Sequence, residues 1–250
     1  MDSDRTGSNQ LTSGTPKHCL HAPQRFAVSA YANPTAFLSD LSDWVCGPLA
    51  AHSARRFSSA IQTPTHFVEM LFLIEDKRFA IHFGLDPIAI ARALIFNVSG
   101  HRLQGASTIA QQIYNTRWTN PPKGTRSRTL KYKIRQGLWT IWQSATTPKI
   151  SILAEYLNTV YWGRSYHGLD CATEKYFGAS RSSISCTQSF FLAERLAAPN
   201  RISPARIYNL VRRPAIASML MQHRVTINDV VSLYEQIYGC GGELWRTLVK

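Results

Sequence analysis

The chain has 250 residues and a formal charge of +13, with 28 lysines and arginines against 15 carboxylates, and 44% of it is hydrophobic. That length holds one sizeable core, or a core with a small lobe, and the hydrophobic content excludes a chain disordered throughout. The surplus of positive charge selects anionic partners: nucleic acid, an acidic membrane surface or a phosphorylated substrate.

Residues 1–24 are rich in Ser, Thr and Gly, show no apolar h-region of a secretory signal, and read as a polar disordered tail. His18-Cys19 with His21 in that tail is read as a chance grouping. The five cysteines are scattered and odd in number, which excludes a zinc spacing and a disulfide framework. Residues 26–51 are moderately apolar but interrupted by Pro34, Asp40, Asp43 and Pro48. The expectation is a short helical lead-in within residues 1–60, with no clear membrane span. A main domain is expected over 61–225 and a helical extension over 226–250.

From Thr63 onward the periodicity is helical. Thr63-Pro64 has the chemistry of a helix start, with the hydroxyl as cap and proline at the first helical position. The run Phe67–Ile74 is apolar nearly all round, so this helix should be buried and should end by presenting Glu75 and Asp76. Asp86-Pro87 opens a second helix. After Gly105, Ser107 and Thr108 are suited to cap a helix containing Gln111 and Gln112. Asn115–Ser127, with Pro121, Pro122 and Gly124, reads as a basic loop, and Ser127 begins a long helix ending near Trp142. Further helices are predicted from Thr147-Pro148 and around His167–Tyr176, Thr187–Ala197, Pro204–Gln222 and Ile227–Tyr238. No repeat and no series of alternating strands is present, so the fold class is mainly α with, at most, a short hairpin.

Charge is distributed unevenly. Between Asp86 and Glu155 there is no carboxylate, while the same stretch carries Arg92, Arg102, Arg117, Lys123, Arg126, Arg128, Lys131, Lys133, Arg135 and Lys149. A solvated helix normally mixes signs, so this stretch reads as an anion-binding face.

The chemistry-bearing residues fall in a specific order: Glu75-Asp76-Lys77-Arg78-Phe79 with His82, Gly84 and Asp86; then Gly105-Ala106-Ser107-Thr108-Ile109-Ala110-Gln111-Gln112. After the basic loop come Lys149 and Glu155-Tyr156-Leu157-Asn158, then Gly163, Gly168, Tyr176-Phe177-Gly178 and Arg212-Arg213. In order and spacing this series resembles the peptidoglycan glycosyltransferases, both the monofunctional enzymes and the N-terminal modules of bifunctional penicillin-binding proteins, over roughly Thr63 to Gln222. The resemblance implies a lysozyme-like helical domain with a small membrane-proximal lobe, which polymerises lipid II into glycan strands by inverting transfer. It places Glu75 as the base that takes a proton from the attacking sugar hydroxyl. It also implies that Arg128 and Lys133 contact the pyrophosphate leaving group. Ser107, Thr108, Gln111 and Gln112 would line the donor site, with Asp76 and His82 beside it, and Glu155 and Asn158 would brace the cleft. The implied partners are lipid II, polyprenyl-linked glycan, a membrane surface and other cell-wall synthesis proteins, with no nucleic acid; the implied location is the periplasmic face of a bacterial inner membrane.

Three positions depart from the family's pattern. Asn115 stands where the family carries Lys, Tyr132 where it carries Arg, and Gln136 where it carries a second catalytic Glu. Glutamine keeps the shape and an acceptor oxygen but loses the charge, so it is a weak ligand for the Mg2+ that the resemblance implies. Two other functions follow from the same residues: a pseudoenzyme that binds lipid II or scaffolds cell-wall synthesis, and a lysozyme-like muramidase.

Overall fold

The helical periodicities are realised as eleven helices among the described residues. The structure, a computed structural model, describes residues 34–98, 106–118 and 130–239. In chain order these are α1 (Pro34–Ile61), α2 (Thr65–Glu75), α3 (Pro87–Val98), α4 (Ile109–Trp118), α5 (Leu130–Thr146) and α6 (Lys149–Thr159), followed by α7 (Leu169–Phe177), α8 (Cys186–Arg195), α9 (Pro204–Val211), α10 (Pro214–Gln222) and α11 (Ile227–Tyr238). No strand forms among them. Of the short hairpin that the sequence allowed, the described residues show an isolated antiparallel bridge between Tyr161 and His167. The 1–24 tail with His18, Cys19 and His21, the segment 119–129 with Arg128, and Gly105 lie outside the described residues.

The lead-in is longer than expected. α1 runs 28 residues straight through Pro48. A proline inside a helix loses one backbone hydrogen bond and costs roughly 3 kcal/mol. Burial of Ala50, Ala54, Phe57 and Ile61, one stripe of α1, against the common core offsets that cost. Among the described residues no helix is long and apolar enough to cross a membrane.

α2 is the axis of the core. Phe67, Val68 and Met70–Leu73 are buried, and the helix packs chiefly against α8, whose Phe190, Phe191 and Leu192 are buried too. Rings of Phe57, Phe72 and Phe79 meet at 5.3–5.7 Å, which closes the space between α1, α2 and the loop that follows. Thr63 does not cap α2. Its N–H turns back to the Ser58 carbonyl at 3.1 Å, so it closes α1, and Pro64 occupies the cap position without a side-chain bond.

The other boundaries follow from local chemistry. Asp86 caps α3 by accepting the N–H groups of Ile88 and Ala89 at 3.1 and 3.0 Å. Thr108 caps α4: its hydroxyl accepts the Gln111 N–H at 3.3 Å while Gln111 Oε1 accepts the Thr108 N–H at 3.0 Å. α4 continues through Asn115–Trp118, which had read as loop. α5 ends at Thr146, a turn beyond Trp142, because Thr140 and Thr146 bond back to the carbonyls of Gln136 and Trp142 instead of leaving the helix. Pro204–Gln222 is two helices, since Pro214 cannot continue α9 and instead starts α10.

One glycine fixes the layout of the site. Gly84 has φ +80°, and a Cβ there would lie 2.4 Å from the carbonyl oxygen of Thr140. The loop after α2 therefore lies flat on α5, and the Thr108 hydroxyl ties it to α4 by donating to the Gly84 carbonyl at 2.5 Å.

Candidate active site

Glu75 sits at the last turn of the apolar helix α2, half-buried. Its Oε2 accepts a hydrogen bond from Gln112 Nε2 at 2.7 Å. The amide cannot flip to present its oxygen, because Gln112 Oε1 is already held by the Tyr156 hydroxyl at 2.9 Å. That hydroxyl stays a donor: burial first, then the charges of Glu75 and Asp76, push its pKa well above the ordinary value. Burial also raises the Glu75 pKa; the bond from Gln112 and the charge of Arg206 pull it back, while Asp76 and Glu194 push it further up. The result is a carboxylate with raised basicity and a fixed orientation.

Asp76 does a different job. It is 5% exposed, and its carboxylate accepts the N–H of Ile109, in the first turn of α4, at 3.1 Å. His82 Nε2 lies against both oxygens at 2.8 and 3.0 Å. A carboxylate at a helix N-terminus is favoured by the helix dipole, so Asp76 anchors α4, and with it Gln112, beneath Glu75. A cavity of about 90 Å³ beside Glu75 is lined by Asp76, Arg78, Arg92, Ser107 and Thr108 among others. Glu75, Asp76, Ser107, Thr108 and Gln112 are thus brought together, Gln111 supports them through the cap, and His82 lies buried behind Asp76.

The remaining residues named from the sequence lie elsewhere. Gln136 is fully buried between α4 and α5, where its Nε2 donates to the Gln111 carbonyl at 3.0 Å and to Asn115 Oδ1 at 2.7 Å. Its Oε1 accepts from Lys133 at 2.9 Å. Tyr132 donates to the same Asn115 oxygen at 2.5 Å. Asn115, Tyr132 and Gln136 therefore form one hydrogen-bonded cluster of neutral side chains, in which each satisfies another. Glu155 pairs with Arg117 at 2.5 Å on the outer side of α6. Asn158 is exposed and accepts from Arg181 at 3.2 Å, next to the Arg181–Asp170 ion pair. Arg212 lies over the Tyr208 ring on the surface.

Sequence reasoning missed the group that holds α2 from behind. Asp43 of α1 is 1% exposed and pairs with both Lys77 and Arg213; Arg213 also donates to the Leu73 carbonyl at 2.9 Å. Burial pushes the Asp43 pKa up, but the two cations together hold it below the ordinary carboxylate range. Lys77 is pushed down to about 8 by burial and by repulsion from Arg213. Asp43 read as an interruption of an apolar stretch, and only the fold reveals two cations converging on it.

Comparison with known proteins fits this arrangement. The family model described as transglycosylase matches residues 45–225. The chain belongs to the transglycosylase family. Similar relatives are penicillin-binding protein 1A of Aquifex aeolicus, 36% identical over 151 residues (60% of this chain, 20% of the relative), and penicillin-binding protein 1B of Haemophilus influenzae, 31% identical over 180 residues (69% and 22%). The chain spans about a fifth of the length of these curated relatives. The mainly α, lysozyme-like architecture expected from the sequence is thus the architecture of this transglycosylase domain.

A divalent cation does not fit the residues around Gln136. The one acceptor oxygen of that side chain already faces the Lys133 ammonium, and the described residues contain no cluster of three or more His, Cys, Asp or Glu able to hold a metal.

Proposed function

We propose that this transglycosylase domain is a peptidoglycan glycosyltransferase that polymerises lipid II, with Glu75 as the general base. The reading rests on one observation above all: a half-buried carboxylate of raised pKa, locked by Gln112, followed along the sequence by a stretch that is basic and free of carboxylates. In the reaction Glu75 takes the proton of the acceptor sugar's 4-hydroxyl, and the freed oxygen pair attacks the anomeric carbon of the donor. The bond to the polyprenyl pyrophosphate breaks, and that group leaves with its electron pair. A positioned base contributes roughly a hundred- to ten-thousand-fold, and the leaving phosphates need cationic stabilisation that Lys133 and the basic segment supply. Ser107, Thr108 and Gln112 are the proposed donor-side contacts.

The substrate is a membrane lipid, and α5 offers a face for the membrane. Ile134, Leu138, Ile141 and Trp142 lie on one side of that helix and are 43–64% exposed, with Lys131 and Arg135 exposed on the same helix. Exposed apolar side chains flanked by cations are the chemistry of an interfacial helix.

Polymerisation of labelled lipid II in detergent, with Glu75→Gln beside the wild type, tests the reading. Glycan product from wild type that drops at least a hundredfold in Glu75→Gln supports it. Lipid II binding without product would instead mark a binding protein, an outcome the neutral Asn115–Gln136 cluster would favour. Cleavage of finished glycan would mark a muramidase.

A further inference from the structure

Two cavities lie away from Glu75 and share none of the residues that line the cavity beside it. One, of about 390 Å³, is bordered by Ile81, His82, Phe83, Ser144 and Lys149. The second, of about 620 Å³, is bordered by Leu49, His52, Arg56, Phe57, Lys149 and Ile150. Ala80, Ile81, Pro148 and Lys149 border both, so the two form one trough. Its size is that of pockets that hold small ligands.

Its chemistry is amphiphilic and cationic. On α1 the lining residues 49, 52, 53, 56, 57 and 60 recur at helical spacing, and Val45, 59% exposed, continues the same stripe. Leu49, Phe57, Ile81 and Ile150 give apolar walls; Arg56 and Lys149 give the charge, His52 adds a polar ring, and no carboxylate borders either cavity. Three lining residues carry a buried polar atom without a hydrogen-bond partner among the described residues: Lys149 Nζ, Ser144 Oγ and His82 Nδ1. Lys149 Nζ lies over the face of Phe79, 4.8 Å from the ring centre, and feels the charge of Asp76 without a hydrogen bond to it. A desolvated ammonium without a hydrogen-bonding oxygen is costly, and an anionic oxygen would satisfy it. Ile81 and Phe83, at the mouth, are 58% and 71% exposed. Phe83 precedes Gly84, which packs on the α5 helix whose apolar face is proposed to meet the membrane.

We propose that this trough binds one anionic membrane phospholipid, its phosphate held by Lys149 and Arg56 and its acyl chain laid along Leu49, Phe57 and Ile81. The site does not depend on the transfer reaction. It is a lipid-binding site separate from the cleft that takes the substrate.

Calorimetric titration of the full chain with dihexanoyl phosphatidylglycerol below its micelle concentration tests the assignment. Saturable single-site binding is expected, weakened about tenfold by Arg56→Gln and by Lys149→Met, the loss of one charge-assisted contact. Lys131→Gln, which removes one charge from α5, is expected to leave it unchanged. Equal binding of dihexanoyl phosphatidylcholine, equal binding of inorganic phosphate, or an equal loss in Lys131→Gln would each overturn the proposal. So would displacement of the bound lipid by lipid II. Thermal melts accompany each variant, and Arg56, being exposed, keeps the result decisive if Lys149→Met fails to fold. No glycan synthesis enters the readout, so failure here leaves the reading of Glu75 untouched.

Discussion

At the scale of single residues, Glu75 carries a conflict between stability and chemistry. Its pKa is raised in the folded chain, so the folded state binds that proton more tightly than the unfolded one. The stabilisation is complete below the unfolded pKa and is lost as pH rises through the folded pKa. At neutral pH the ionised form, the one the proposed base needs, is therefore a small burden on the fold. Glu75→Gln is expected to raise the melting temperature at pH 7 while abolishing polymerisation, and the gain should vanish near pH 4, about the ordinary pKa of Glu. Paired melts at the two pH values check it, and a variant less stable than wild type at pH 7 would contradict it. Gln112→Leu removes the donor that favours the charged form, so the acidic limb of the polymerisation rate should move to higher pH. Tyr156 was legible only as part of a motif. Its role in turning Gln112 toward Glu75 needs α4 and α6 side by side, which no spacing within one helix reveals.

At the scale of elements, α4 and α5 are joined by the neutral cluster of Asn115, Tyr132 and Gln136. A Glu at 136 would turn a donor into an acceptor facing two others, the Gln111 carbonyl and Asn115 Oδ1. Gln136→Glu alone is thus expected to cost about 1–3 kcal/mol of stability and to give no gain in polymerisation. Adding Asn115→Lys supplies a cation for that carboxylate and should recover much of the loss; a double-mutant cycle measures the coupling. The helices themselves were largely legible: α2 is a continuous apolar run, Asp86 caps α3, and Thr226 caps the periodic α11. α1 was not, since Pro34, Asp40, Asp43 and Pro48 are local signals for breaking a helix and only packing against the core overrides them. The end of α5 was placed too early for a related reason: threonines that prefer to leave a helix are held by bonds to their own turn.

At the scale of the whole molecule, the family match ends at residue 225, yet the fold does not. α11 packs on α8, the helix that backs α2, and Tyr234 donates to Glu194 Oε2 at 2.7 Å. Glu194 and Arg195 are both fully buried and paired at 2.5 Å, with Arg206 at 3.7 Å from the second carboxylate oxygen. The rings of Tyr234 and Phe191 stand 4.9 Å apart, and Arg164 reaches over Tyr238 while donating to the Ile237 carbonyl. A buried ion pair is tolerated only when its remaining hydrogen-bonding capacity is met, and α11 supplies part of it. Tyr234→Phe should therefore cost about 1–3 kcal/mol by leaving one Glu194 bond unmade. A chain cut after Val225, which keeps the whole matched region, should lose far more, because it also uncovers Phe191 and opens the Glu194–Arg195 pair to water. Since α8 holds α2 in place, and the charges of Glu194 and Arg206 act in opposite directions on Glu75, polymerisation should fall with the melting temperature. A truncated chain that melts within a degree or two of the full one would mean that the buried pair is satisfied without α11.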